Sequence, residues 1–265
     1  MFTSNPFAEL SASIPPAVMQ TYVVIMIVLV AAGTLFDIVH KGSAKYFFEN
    51  WRKSKSQGAK QIGGSEWVSL AIKTGLVDVL ASGEFCNARR RVAHLLTMYG
   101  FLIYFITTAI MVFGYPTPAT ATPTILPLLW WIGGLMVCLG GYWFWFFIRV
   151  DVAAEGNSPL RIMRADLFIL SLLGSATLGL IWAFMQTFMQ TRGSSGVNVF
   201  FGLYLIATTV LFGSVLWSKF AHMFFKPAAA FEKRVSYASG SRSNLPAPAD
   251  KPELFGSARE QPRNY

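Results

Sequence analysis

Charge is what this chain has least of. Only 13% of its 265 residues are Asp, Glu, Lys or Arg, where a soluble domain carries roughly 25%. With 54% hydrophobic residues and a mean hydropathy of +0.46, a water-soluble globular class is excluded and an integral membrane protein is implied. Cysteine is nearly missing. Cys86 lies in a basic stretch and Cys138 in mid-run, and no CxxC or ferredoxin-like series occurs. A disulfide framework, a thiolate metal site and an iron–sulfur centre of the chain's own are therefore all unsupported. The first apolar run has no basic residues before it, only Glu9, so it reads as a retained span and not as a cleaved signal peptide. Paired acids at mid-membrane and an inverted repeat are also lacking, which tells against a solute transporter.

The net charge of +9 does not point to nucleic acid, because the basic residues border apolar runs and are not interleaved with base-stacking aromatics. Membrane orientation and anionic lipid account for them. Residues 1–16 form a polar leader that ends in Pro15 and Pro16, expected to lie outside the membrane. Five apolar runs follow: Ala17–Val39, Val92–Phe113, Ile125–Phe147, Leu167–Met189 and one from Val197 through His222 to about Phe225. Each is long enough to cross about 30 Å of hydrocarbon. Residues 41–91 hold ten Lys and Arg against Glu49, Glu66, Asp78 and Glu84, which makes this connection cytoplasmic. Within it Trp67, Leu70, Ala71, Gly75, Leu76, Val79 and Leu80 recur at helical spacing, as in an amphipathic helix at the membrane surface or under a partner subunit. The expected fold is an all-α integral membrane protein of five transmembrane helices, N-terminus outside and C-terminus cytoplasmic. Residues 17–227 make the membrane domain and 228–265 a flexible cytoplasmic tail.

Glycines 133, 134, 140 and 141 and the series Ser171, Ser175 and Gly179 read as helix-packing devices. Of the three histidines, His40 ends the first run beside Lys41 and suits a solvated or headgroup position. His94 enters the second run just after Arg89, Arg90 and Arg91, and His222 leaves the last just before Lys226. Ionisable groups at membrane depth are costly. Two neutral imidazoles at one depth on two helices suit bis-axial ligation of a b-type haem, with Arg89, Arg90, Arg91 and Lys219 available to its propionates. Spacing alone leaves this reading open against two interfacial histidines. Tyr46, Tyr99, Tyr104 and Tyr204 read as belt or packing residues more than as quinone ligands.

The stretch WSKFAHMFFKP (Trp217–Pro227) in the last run and RRRVAHLLTMYGF at the second, with five spans, resemble the cytochrome b membrane subunits of respiratory nitrate reductase (gamma subunit), heterodisulfide reductase and the quinone-interacting complex of sulfate reducers. The resemblance covers roughly residues 17–227. It implies haem ligation by His94 and His222. Two-haem members carry a further histidine ten residues after the first and another eighteen before the last; Tyr104 and Tyr204 stand there, so one haem b is implied, the inner one. A short chain without a ferredoxin domain is most similar to the membrane anchor associated with dissimilatory adenylylsulfate reductase. The implied role is a non-catalytic or quinone-reactive subunit in a bacterial or archaeal cytoplasmic membrane, passing electrons between cytoplasmic iron–sulfur or flavin subunits and quinone. The rival from another class is a haem-free anchor or assembly protein that docks a soluble enzyme on the bilayer.

Overall fold

A computed structural model describes residues 2–40, 43–56, 58, 60–83, 85, 87–149, 160–188, 195–215 and 222–241. All regular structure among the described residues is helical: α1 Pro6–Leu10, α2 Pro16–His40, α3 Ser43–Ser56, α4 Gly64–Lys73, α5 Ala88–Gly114, α6 Ile125–Trp143, α7 Leu167–Phe188, α8 Ser195–Gly213 and α9 His222–Ser239. Helix α4 continues as a π-helix over Thr74–Leu80, and α6 does so over Phe144–Ile148. Five helices (α2, α5, α6, α7 and α8) are long and apolar enough to cross a membrane. The chain divides into two compact units, residues 1–33 with 92–220 and residues 34–91 with 221–265.

In the first unit α6 is held between two neighbours by its glycines. A Cβ on Gly133 would lie 2.7 Å from the backbone nitrogen of Tyr104, and one on Gly140 would lie 2.7 Å from the carbonyl of Ala93, both on α5. One position further along, Gly134 and Gly141 meet Leu180 and Leu173 of α7 at 2.9 and 2.6 Å. Small residues at both seams let the backbones approach closely, which in lipid replaces the hydrophobic drive between helices. Helices α7 and α8 are joined by a hydrogen bond between the Ser175 and Thr208 hydroxyls at 2.8 Å.

Within the leader, a short apolar stretch is packed into the first unit. Pro6, Phe7, Ala8 and Leu10 are buried. The Asn5 amide donates to the carbonyl of Tyr115 (2.9 Å) and to the Thr122 hydroxyl (3.2 Å), while its oxygen accepts from the backbone N–H groups of Phe7 and Ala8 and caps α1. Four apolar residues are too few to register as a run, yet they suffice to plug a bundle.

The last span is corrected. Of the run expected from Val197 to about Phe225, α8 ends at Gly213 with a turn at Ser214 and Val215, residues 216–221 lie outside the described residues, and α9 is described from His222. Gly213 suits a helix end. Nor are residues 228–239 an irregular tail: α9 passes through Pro227 to Ser239. In the second unit Phe231 of α9 packs on Trp67 (4.6 Å between ring centroids) and Trp51 (5.9 Å). Arg234 donates from Nε and Nη2 to the two carboxylate oxygens of Asp78. These contacts outweigh the hydrogen bond that a proline removes inside a helix. Residues 242–265 lie outside the described residues.

Candidate functional site

Five aromatic rings form an arch through the core of the first unit. Phe7 sits edge-on to Trp130 at 5.9 Å and against Trp182 at 5.5 Å. Trp130 stacks on Tyr104 at 4.8 Å, and Trp182 stacks on Tyr204 at 6.0 Å. Both indoles are fully buried. Offset and edge-on arrangements of this kind stabilise beyond area burial alone.

Beneath the arch lies a cavity of about 50 Å³, lined by α2, α5, α7 and α8. Its walls are mainly apolar, with Met19 and Met26 from α2, Phe101 and Phe105 from α5, and Phe212 from α8. Tyr22, Tyr104, Thr108, Ser175, Tyr204 and Thr208 bring hydroxyls to it. Most of these are engaged. Tyr22 donates to the carbonyl of Leu205 at 3.0 Å, Thr108 donates to the carbonyl of Tyr104 while accepting from Trp130 Nε1, and Thr208 donates to the carbonyl of Tyr204. Tyr104 and Tyr204 differ: the sequestered Tyr104 hydroxyl lies near the Tyr204 phenol in a weak hydrogen-bonding contact that falls short of normal geometry. A buried hydroxyl left unsatisfied costs up to about 1–3 kcal/mol, so an acceptor that gives Tyr104 a better-aligned partner is favoured. Gly179 of α7 makes room for both phenols: a Cβ there would collide with Tyr104 Oη and stand 3.1 Å from the Tyr204 ring.

No family model, curated protein or solved structure matches this chain.

The sequence placed Tyr104 and Tyr204 in packing roles. They do pack, and they also meet across one cavity, from positions ten residues after His94 and eighteen before His222. His94 stands exposed near the start of α5. It is seven residues before Phe101 and eleven before Phe105, so it shares their face of the helix. That face meets α8, with Phe101 and Phe105 at 6.4 and 6.0 Å from Phe212. His222 opens α9, and its side chain lies outside the described residues, as does Lys219. Asn87 caps the helix that carries the arginines, accepting from the backbone of Arg89 and Arg90. Arg91 donates Nε–H to the carbonyl of Ala81 at 2.8 Å, and Arg89 is exposed. Among the described residues no cluster of three or more His, Cys, Asp or Glu gathers for a metal ion.

The fit of a haem differs between the two candidate places. At Tyr104 and Tyr204 a porphyrin does not fit, since each phenol is stacked on an indole and the space between helices is about 50 Å³. At His94 an exposed imidazole on the α8-facing side of α5 is compatible with an axial ligand. The arch, and Phe7 in particular, had no sequence signal. Only its distant partners in three dimensions give it meaning.

Proposed function

We propose that this protein is a membrane anchor subunit that passes electrons between a cytoplasmic iron–sulfur or flavin oxidoreductase and the quinone pool. The supporting observation is the intramembrane cavity, apolar on its walls and furnished with the buried Tyr104 O–H, a donor without a well-formed partner. A quinone headgroup is flat, apolar and edged with carbonyl acceptors, and its ring enters from lipid. The unbranched side chains of Met19 and Met26 adapt to admit it, Tyr104 donates to one carbonyl, and the flanking rings exclude water.

The resemblance to cytochrome b subunits supports a single haem b with His94 and His222 as its axial pair. When bound, the haem supplies one-electron carriage between the two-electron chemistries on either side. Its propionates would be met by Arg89 and Arg90, which start α5 just before His94, and by Lys219. The resemblance favours adenylylsulfate reductase as the soluble partner, with electrons either passing from oxidation of sulfite with AMP to quinone or flowing the opposite way.

A reduced-minus-oxidised spectrum of the purified protein tests the haem. One b-type chromophore per chain is expected, lost in His94→Ala. Absence of the band would leave the haem-free anchor as the reading. Quinone is tested separately, by binding of a short-chain quinone analogue: Tyr104→Phe weakens it by up to about tenfold, the worth of one neutral hydrogen bond. Unchanged affinity in that variant places the quinone elsewhere.

A further inference from the structure

The helix formed by α4 and its π-helical continuation has two opposite rows. Leu70, Thr74 and Asp78 face inward: Thr74 is 4% exposed, and Asp78 holds Arg234 of α9. Two residues out of step, hence on the other side, Val68, Ile72, Leu76 and Leu80 are 59, 57, 57 and 47% exposed. The change of winding keeps this second row straight. In an α-helix a four-residue step overshoots a full turn by about 40°. In a π-helix, with hydrogen bonds to the fifth residue, the same step falls short of one. Drift gained before Lys73 is therefore undone after it, and four large apolar side chains align.

A row of this kind in water marks a contact. Three observations say with what. Both acids of the helix are neutralised on or near its inner side, Glu66 by Lys60 at 2.9 Å and Asp78 by Arg234, so Lys73 is the outward charge of the helix and is exposed. The same compact unit contains the last turns of the span α2, where Leu35, Phe36 and Val39 are 62, 52 and 79% exposed. Its lipid-facing surface is thus already part of this unit. Finally, Leu80 is followed within eight residues by Ala88, where the next span begins. An apolar helix with both acids paired, Lys73 exposed and membrane spans at both ends of its segment fits anionic lipid better than a soluble protein.

We propose that the helix Gly64–Leu80 lies in the headgroup layer of the bilayer, with Val68, Ile72, Leu76 and Leu80 turned to the acyl boundary and Lys73 on anionic lipid. This reading is independent of haem and quinone. It also divides the basic connection into a lipid-bound helix and the remaining α3 face for a soluble partner.

The test places nitroxide labels at Ile72→Cys, Leu76→Cys and, as an aqueous reference, Lys45→Cys, in the full chain with Cys86 and Cys138 changed to Ser. The protein is reconstituted in nanodiscs of phosphatidylcholine with or without phosphatidylglycerol. At 72 and 76 collisions with oxygen are expected to exceed those with a water-soluble nickel chelate, with the order reversed at 45. Removing phosphatidylglycerol, or adding Lys73→Glu, raises nickel access at 72 and 76. Nickel access at 72 and 76 equal to that at 45 overturns the proposal. So does shielding from both reagents, which would assign the row to a protein contact. Nickel access indifferent to phosphatidylglycerol and to Lys73→Glu overturns the role given to Lys73.

Discussion

Asn5 and Gly179 show how single side chains, or their absence, set the intramembrane cavity. Asn5 makes two hydrogen bonds that cap α1 and two that tie it to the 115–122 turn. Asn5→Ala is expected to cost about 2–4 kcal/mol, the sum of a lost cap and two buried bonds. Thermal unfolding in detergent measures it, with new protease cleavage near α1 as the local sign. Gly179 acts by being small. Gly179→Ala pushes a methyl into Tyr104 Oη, an overpacking worth about 1–3 kcal/mol. Because the phenolic oxygen is the nearest obstacle, adding Tyr104→Phe recovers most of that loss. Tyr104→Phe alone leaves stability unchanged or raised, since the hydroxyl it deletes has no well-formed partner. A double-mutant cycle reads the coupling; additive effects would sink this account of Gly179.

Helix α6 owes its position to glycines a heptad apart, one pair per neighbour. Gly133→Leu places four carbons where α5 backbone now lies and is expected to abolish the monodisperse form in size-exclusion chromatography. Gly202→Ala on α8, where nothing stands within 4 Å, leaves it intact. The glycine pattern and the apolar runs were legible in the sequence because their signals are local and periodic. The beginnings and ends of α2, α5, α6 and α7 accordingly fall within a few residues of the expected spans. What escaped was decided by distant partners. Pro227 looks like a terminator in sequence, and only Trp51, Trp67 and Asp78 show why a helix continues beyond it. Tyr104 and Tyr204 carry no mark of a cavity until their facing helices and Gly179 are known. The basic stretch before His94 was legible as charge, but the attachment of Arg91 to the Ala81 carbonyl was not.

For the molecule as a whole, the distribution of Lys and Arg leads to the expectation of an outside N-terminus and a cytoplasmic C-terminus. Alkaline phosphatase fused within the 114–124 turn is expected to be active, and fused after residue 241 inactive; the opposite pattern overturns the orientation. The arch adds a constraint on the order of assembly. Phe7 is synthesised before Trp182, which it touches and which is made only after three further spans. Until then α1 can dock only in part, through Asn5 on the 115–122 turn and Phe7 on Trp130. The last closure of the domain therefore joins an early helix to a late one, and a lipophilic guest can enter the cavity during biogenesis before that closure is complete.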